Sequence, residues 1–296
     1  MSAYKKPVSK KCDLCGKAVF SNKSKYCRRC SKFALRVKNK RLPPETVKAI
    51  FEYVRTYGFM CFYTGMSLNM DDPDSPWHLE FDHWMPADPS KIVLTSRLLN
   101  EMKNDLTEVE FKYYIIELDN HKKKGTRVRK KSLKFWYRLH PPSQLDLSLP
   151  QTVVTERIHK KCTQCGKMFW AHWNTQKYCP RCDKFTMQME YDKLPPHVIK
   201  QIWRYVRKHG FVCYYTGVRL DRLNPHNPWY ISYDHCTPHN DRKVVLTTRL
   251  FNAIKTELSE KEFWYMVSQL AAHFKNGTPV RKIKLKYWTG PKPYER

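Results

Sequence analysis

The chain has 296 residues, and its 55 lysines and arginines outnumber its 27 aspartates and glutamates to give a net charge of +28. An excess of this size indicates a polyanionic partner, most simply nucleic acid, in preference to a solvated basic surface without a partner. No apolar run approaches the ~20 residues of a membrane span, so we expect no membrane partner. The first residues lack the apolar core of a signal peptide. We therefore expect a reducing intracellular compartment and no secretion.

Four Cys-x-x-Cys knuckles contain eight of the eleven cysteines and form two sets. The sets are Cys12, Cys15, Cys27 and Cys30, and Cys162, Cys165, Cys179 and Cys182. In a reducing compartment, four thiolates at this spacing favour a closed structural zinc site over disulfides or a redox motif. We therefore predict two structural Zn²⁺ ions, each in a zinc ribbon whose tight turn contains Gly16 or Gly166.

Each ribbon is followed by a helix that begins at a double proline and ends at Gly58 or Gly210. Later residues at strand periodicity predict strands at 59–65, 78–82 and 92–95, and again at 211–217, 230–234 and 244–247. Cys61 and Cys213 stand alone, which is typical of small buried residues and not of metal ligands. A further helix begins in each half at a capping box, Thr107 to Glu110 and Ser259 to Glu262.

An Asp-His pair occurs twice at the predicted strand ends, followed each time by an Asn at the start of a helix. The residues are Asp82, His83 and Asn100, then Asp234, His235 and Asn252, and each residue lies 152 positions before its counterpart. Asp and Asn supply oxygen ligands of the kind Mg²⁺ prefers, and His can accept a proton from water near neutral pH. Neighbouring residues of a strand point to opposite faces, so the pair must lie where the strand ends, close to Pro86 or Pro238.

These blocks resemble the HNH (ββα-metal) nuclease motif, particularly the HNH domain of RNA-guided CRISPR nucleases. The resemblance covers about fifty residues per copy, 58–107 and 210–259. It implies that Asp82, Asn100, Asp234 and Asn252 bind a catalytic Mg²⁺ or another divalent cation. It also implies that His83 and His235 are the general bases. This chain departs from the family in two ways. Many members have an Asn just before the second strand, where this chain has Lys91 and Lys243. Many also carry their zinc knuckles around the motif, whereas here the cysteine sets lie upstream of it.

Basic residues that follow each motif are candidates for DNA contacts. Lys103 and Lys255 match the Asn-x-x-Lys spacing of the same motif. The tails that end each half contribute Arg127, Arg129, Lys130, Arg281 and Lys282. We expect these side chains to contact phosphates of double-stranded DNA.

The fold class predicted is α+β, a tandem duplication of a zinc ribbon, a helix and an HNH unit. Residues 1–138 and 159–296 are the two predicted domains, and the Pro-containing segment 139–158 is the linker. The layout is similar to that of HNH homing endonucleases of phages and organelles. This resemblance implies that the compartment is the cytoplasm of a phage- or virus-infected cell, or an organelle. It predicts a monomer that acts as a pseudo-dimer and cuts one strand per unit. The alternatives are a non-catalytic zinc-ribbon protein that binds nucleic acid, or a nickase with one active unit.

Overall fold

The computed structural model describes residues 10–19, 24–86, 88, 90–136, 158–171, 174–222, 224–238, 240 and 242–288. Within these residues the chain is α+β, with small two-stranded antiparallel sheets and eight bounded helices. The predicted linker lies outside the described residues except for Ile158. The first half contains β1 (Lys10–Lys11), β2 (Ala18–Val19), α1 (Arg28–Asn39), α2 (Pro44–Tyr57), β3 (Leu79–His83), β4 (Ile92–Ser96), α3 (Arg97–Lys103) and α4 (Glu108–Lys124).

The second half repeats this order. Its elements are β5 (Ile158–Lys161), β6 (Met168–Ala171), α5 (Pro180–Tyr191), α6 (Pro196–His209), β7 (Ile231–His235), β8 (Val244–Thr248), α7 (Arg249–Lys255) and α8 (Glu260–Asn276). The pairings are β1 with β2, β3 with β4, β5 with β6, and β7 with β8. Helices α1 and α5, which start at the second knuckle of each cysteine set, were not predicted from the sequence.

The double-proline helices α2 and α6 are confirmed, with proline in the first turn of each. Both end at a glycine with positive φ, 74° at Gly58 and 77° at Gly210, a backbone conformation that residues other than glycine rarely adopt. The capping box of α8 is also confirmed. The Ser259 hydroxyl accepts from the Glu262 amide, and the Glu262 carboxylate accepts from the Ser259 amide.

The strands predicted at 59–65 and 211–217 are wrong. Only isolated bridges form there, Met60 to Ser67 and Val212 to Arg219. The chain instead turns back on itself, because the Cys61 amide donates to the Met66 carbonyl at 2.7 Å. The turn places Tyr63 inside the protein, with consequences for the site below.

Two compact units are distinguishable, and they differ from the predicted domains at 1–138 and 159–296. The first comprises residues 1–124, 132–136 and 253–296, and the second comprises 125–131 and 137–252. Inside the first unit, α4 packs against α8 through Phe111 and Phe274, whose ring centroids are 6.1 Å apart. The last helix of the second repeat therefore contributes to the core of the first unit.

Candidate functional site

Each four-cysteine set converges on one point. The four sulfur atoms within each set lie within 4.8 Å of one another, which is compatible with one tetrahedral Zn²⁺ per set. The Cys15 and Cys27 sulfurs are 3.6 Å apart and the Cys165 and Cys179 sulfurs 3.9 Å, separations too long for a disulfide. The sequence predicted both clusters correctly.

The cluster geometry follows from the local backbone. The Cys12 amide donates to the Lys17 carbonyl and Gly16 takes φ 71°, which folds the first knuckle into a tight turn. Burial opposes ionisation of Cys12, but hydrogen bonds from the Cys27, Leu14 and Cys15 backbone lower its pKa to about 6. In the second set the pKa of Cys162 falls to about 7 by the same balance. Thiolates are the form that binds zinc.

Asp82 lies near the end of β3 and its side chain points into the protein. It is 5% exposed, and its strand pairs with β4 in a register that places it opposite Val93. One carboxylate oxygen accepts from the Tyr63 hydroxyl, and the other lies 3.1 Å from the Lys103 ammonium. Burial raises the pKa of Asp82, whereas Lys103 and Tyr63 oppose that rise.

Lys103 and Lys255 are two of the four lysines predicted to contact DNA, and their burial is at odds with that role. Lys103 is fully buried and Lys255 is 1% exposed. The Lys103 ammonium donates to Asp82 and, at 2.9 Å, to the His83 carbonyl. It therefore neutralises a buried carboxylate and anchors the strand end, and it does not lie on an outer surface.

His83 is the last residue of β3 and is exposed, on the opposite face from Asp82. His235 ends β7 in the same way and is half-buried, while Asp234 is buried. Each pair thus lies at the end of its strand, as predicted. A histidine on this surface is accessible to water and to a ligand.

The two asparagines lie on the short helices that follow the second strands. Asn100 is in α3 and Asn252 is in α7, and both are half-buried. The Asn252 amide nitrogen donates to the Ser232 hydroxyl at 3.1 Å and to the Tyr233 carbonyl at 3.4 Å. Ser232 precedes Asp234 by two residues and so shares its face of the sheet. Asn252 therefore lies over the strand that carries Asp234.

Tyr63 and Tyr215 are site residues that the sequence analysis missed. Each donates its hydroxyl to the candidate aspartate, Tyr63 to Asp82 and Tyr215 to Asp234. Burial raises the pKa of both phenols and the neighbouring carboxylates raise it further, so both stay protonated as donors. The available signal was the Tyr-Thr-Gly triplet that occurs in both halves.

A carboxylate lies near Asp82 on the strand of the first repeat and has no counterpart near Asp234 in the second. Glu80 shares the face of Asp82 and binds Arg97 at 2.6 Å and Arg36 at 3.8 Å. In the second repeat Ser232 stands in the place of Glu80. An uncharged hydroxyl thus replaces a paired carboxylate.

The tail residues predicted to contact DNA lie on the surface. Each tail is anchored by a buried valine, Val128 or Val280, and the arginines beside it are exposed: Arg127, Arg129 and Arg281. Lys130 donates to the Arg219 carbonyl at 2.7 Å within the second unit. Lys282 donates to the Ser67 hydroxyl at 3.4 Å within the first unit. The structure thus places each tail on residues of the other repeat.

No protein-family model, curated protein or solved structure matches this chain. Among the described helices, none combines the length and apolar character that crossing a membrane requires.

Proposed function

We propose that the protein is a metal-dependent DNA endonuclease with two HNH units, each hydrolysing a phosphodiester bond of one strand. One observation carries the proposal. Both repeats place a buried Asp and a more exposed His at the end of one strand, pair that strand with a second one, and follow it with an Asn-bearing helix.

The donor set fits a hard divalent cation. Asp82 with Asn100, and Asp234 with Asn252, would hold Mg²⁺ or a similar ion through carboxylate and amide oxygens. An ionised carboxylate has about four lone-pair sites, so Asp82 retains capacity beside Tyr63 and Lys103. The ion would stabilise negative charge on the phosphate and leaving oxygen.

The chain's own groups supply the remaining requirements. His83 and His235 would accept a proton from the attacking water, because each lies at a strand end beside the candidate metal ligand and is at least partly exposed. Tyr63 and Lys103 hold Asp82 in one orientation. The exposed arginines of the tails would position the duplex through phosphate contacts.

One observation favours the non-catalytic alternative. Asp82 is only 5% exposed and already has two partners, which is also the arrangement of a structural buried ion pair. That alternative requires DNA binding without hydrolysis.

Cleavage of supercoiled plasmid separates the two functions. We expect the wild-type protein to linearise plasmid with magnesium and not with a chelator. The combined His83→Ala and His235→Ala variant should bind the same DNA with unchanged affinity and leave it intact. Equal cleavage by that variant would remove the proposed role of the histidines, and binding without cleavage by the wild type would establish the alternative.

A further inference from the structure

A cavity of about 290 Å³ lies in the second repeat between helix α6 and strand β8. Arg204 and Lys208 of the helix line it, as does Lys243, the residue immediately before the strand. Its floor is apolar and includes Val244. Of the described residues that line the cavity, none is acidic.

Two tyrosines complete the wall. The Lys243 ammonium lies 2.9 Å from the Tyr214 hydroxyl and 4.9 Å from its ring centroid. Tyr205 lies beside Tyr214, with ring centroids 6.3 Å apart. Cationic nitrogens and phenol hydroxyls above an apolar floor can recognise a phosphate joined to a less polar sugar.

The cavity adjoins the candidate catalytic strand end. Cys236, which follows His235, donates its amide to the Lys243 carbonyl at 3.0 Å. His235 is paired directly with Val244 in the β7–β8 register. His235 therefore lies directly opposite a residue that lines the cavity.

The first repeat has no such set of charges. Glu52, Thr56 and Phe62 occupy the positions of Arg204, Lys208 and Tyr214. Lys91 corresponds to Lys243, so these positions of the first repeat carry one positive and one negative charge. At these positions the second repeat therefore carries three positive charges, whereas the first repeat has a net charge of zero.

We propose that the cavity binds a backbone phosphate of nucleic acid beside His235, and that the second repeat has this anchor while the first lacks it. The position beside a catalytic histidine rests on the proposed function, whereas the binding of a phosphate there does not. The second repeat then holds its strand more tightly than the first.

Binding of a fluorescent DNA duplex without divalent metal tests the anchor. The combined Arg204→Gln and Lys208→Gln variant should raise Kd at least tenfold at moderate salt. It should also flatten the slope of log Kd against log salt by about 1, since the one phosphate contact that is lost contributes about 0.9. The matched control is Lys184→Gln with Lys200→Gln, which removes two exposed cations of α5 and α6 that do not line the cavity.

The converse exchange sharpens the test. Glu52→Arg with Thr56→Lys gives the first repeat the cations of the second and should lower Kd and steepen the salt slope. Equal losses in the cavity variant and the Lys184/Lys200 control would overturn the proposal, because net charge alone would then explain the binding. A second result would also overturn the proposal: millimolar inorganic phosphate binds the cavity of the wild type, but the cavity variant binds the duplex with unchanged affinity. The cavity would then bind free phosphate and not the DNA backbone.

Failure of the two proposals is distinguishable. A wild-type protein that never cleaves, with duplex binding that still depends on Arg204 and Lys208, removes the endonuclease and keeps the phosphate anchor. A wild-type protein that cleaves both strands, with cleavage and Kd unaffected by the cavity variant, keeps the endonuclease and removes the anchor.

Discussion

The two repeats hold the same chemical groups at the strand end but surround them differently. Tyr63 and Tyr215 both donate to the buried aspartate of their repeat. Beyond that network, Glu52 of the first repeat becomes Arg204 in the second, and Thr56 becomes Lys208. A residue that pairs with a buried carboxylate cannot be replaced without leaving that charge unpaired. Residues on the outer surface can be replaced without this cost. The comparison teaches that the repeats share a site and differ in the surface that would meet DNA.

The largest effect should come from the zinc clusters, where the repeats are expected to behave alike. Cys30→Ser removes a ligand of the first cluster and Cys182→Ser a ligand of the second, and each should reduce the zinc content from two ions to one per chain. The short strands β1–β2 and β5–β6 have little core of their own, so loss of the ion should unfold the ribbon concerned. Elemental analysis and limited proteolysis measure the two outcomes. A protein that contains no zinc when purified without chelator contradicts the assignment.

The histidines should separate the repeats by strand. His83→Ala alone should slow cleavage of one strand by about 10²–10⁴-fold, the usual contribution of a general base. The product should be the open-circle plasmid. His235→Ala alone should leave a nick in the other strand, which strand-specific end-labelling detects. A single variant that still linearises plasmid at the wild-type rate shows that one unit cuts both strands or that two chains cooperate.

The sequence predicted the elements better than it predicted the partners. Strand alternation correctly placed Asp82 and His83 at the end of a strand, because that periodicity is local. The role of Lys103 was not visible in the Asn-x-x-Lys spacing, since α3 is a seven-residue helix whose Leu98, Leu99 and Met102 are all buried and leave little solvent face. Tyr63 lies 19 residues before Asp82 and reaches it only because the chain turns where a strand was expected.

Lys103 offers a test of the buried ion pair in the first repeat. Lys103→Met should destabilise the folded protein by about 3–5 kcal/mol, because it leaves Asp82 buried without its cation. The matched control is Lys112→Met, which removes a half-exposed partner of Glu108 and should cost about 0.3–0.5 kcal/mol. Urea unfolding monitored by circular dichroism measures both. Equal, small changes would show that the Lys103 ammonium is solvated and accessible to DNA, as the sequence suggested.

The smallest difference concerns the capping boxes that begin the last helix of each repeat. The Thr107 hydroxyl accepts from the Glu110 amide at 3.2 Å, and the Ser259 hydroxyl accepts from the Glu262 amide at 3.4 Å. Thr107→Ala and Ser259→Ala should each cost about 1 kcal/mol, because each leaves an amide of the first helical turn without its acceptor.

The two caps also test the composition of the first unit. Helices α4 and α8 pack against each other there, and Lys275 of α8 binds Asp119 of α4 at 3.1 Å. A lost cap in either helix should therefore lower the same unfolding transition, and the double variant should lower it by about 2 kcal/mol if the distant caps add independently. Two separate transitions, one affected by each substitution, would contradict the shared core and favour two units that follow the sequence repeats. Differential scanning calorimetry of the single and double variants distinguishes the two cases. A shared core predicts that each substitution lowers the temperature of the same peak and that the double variant lowers it further.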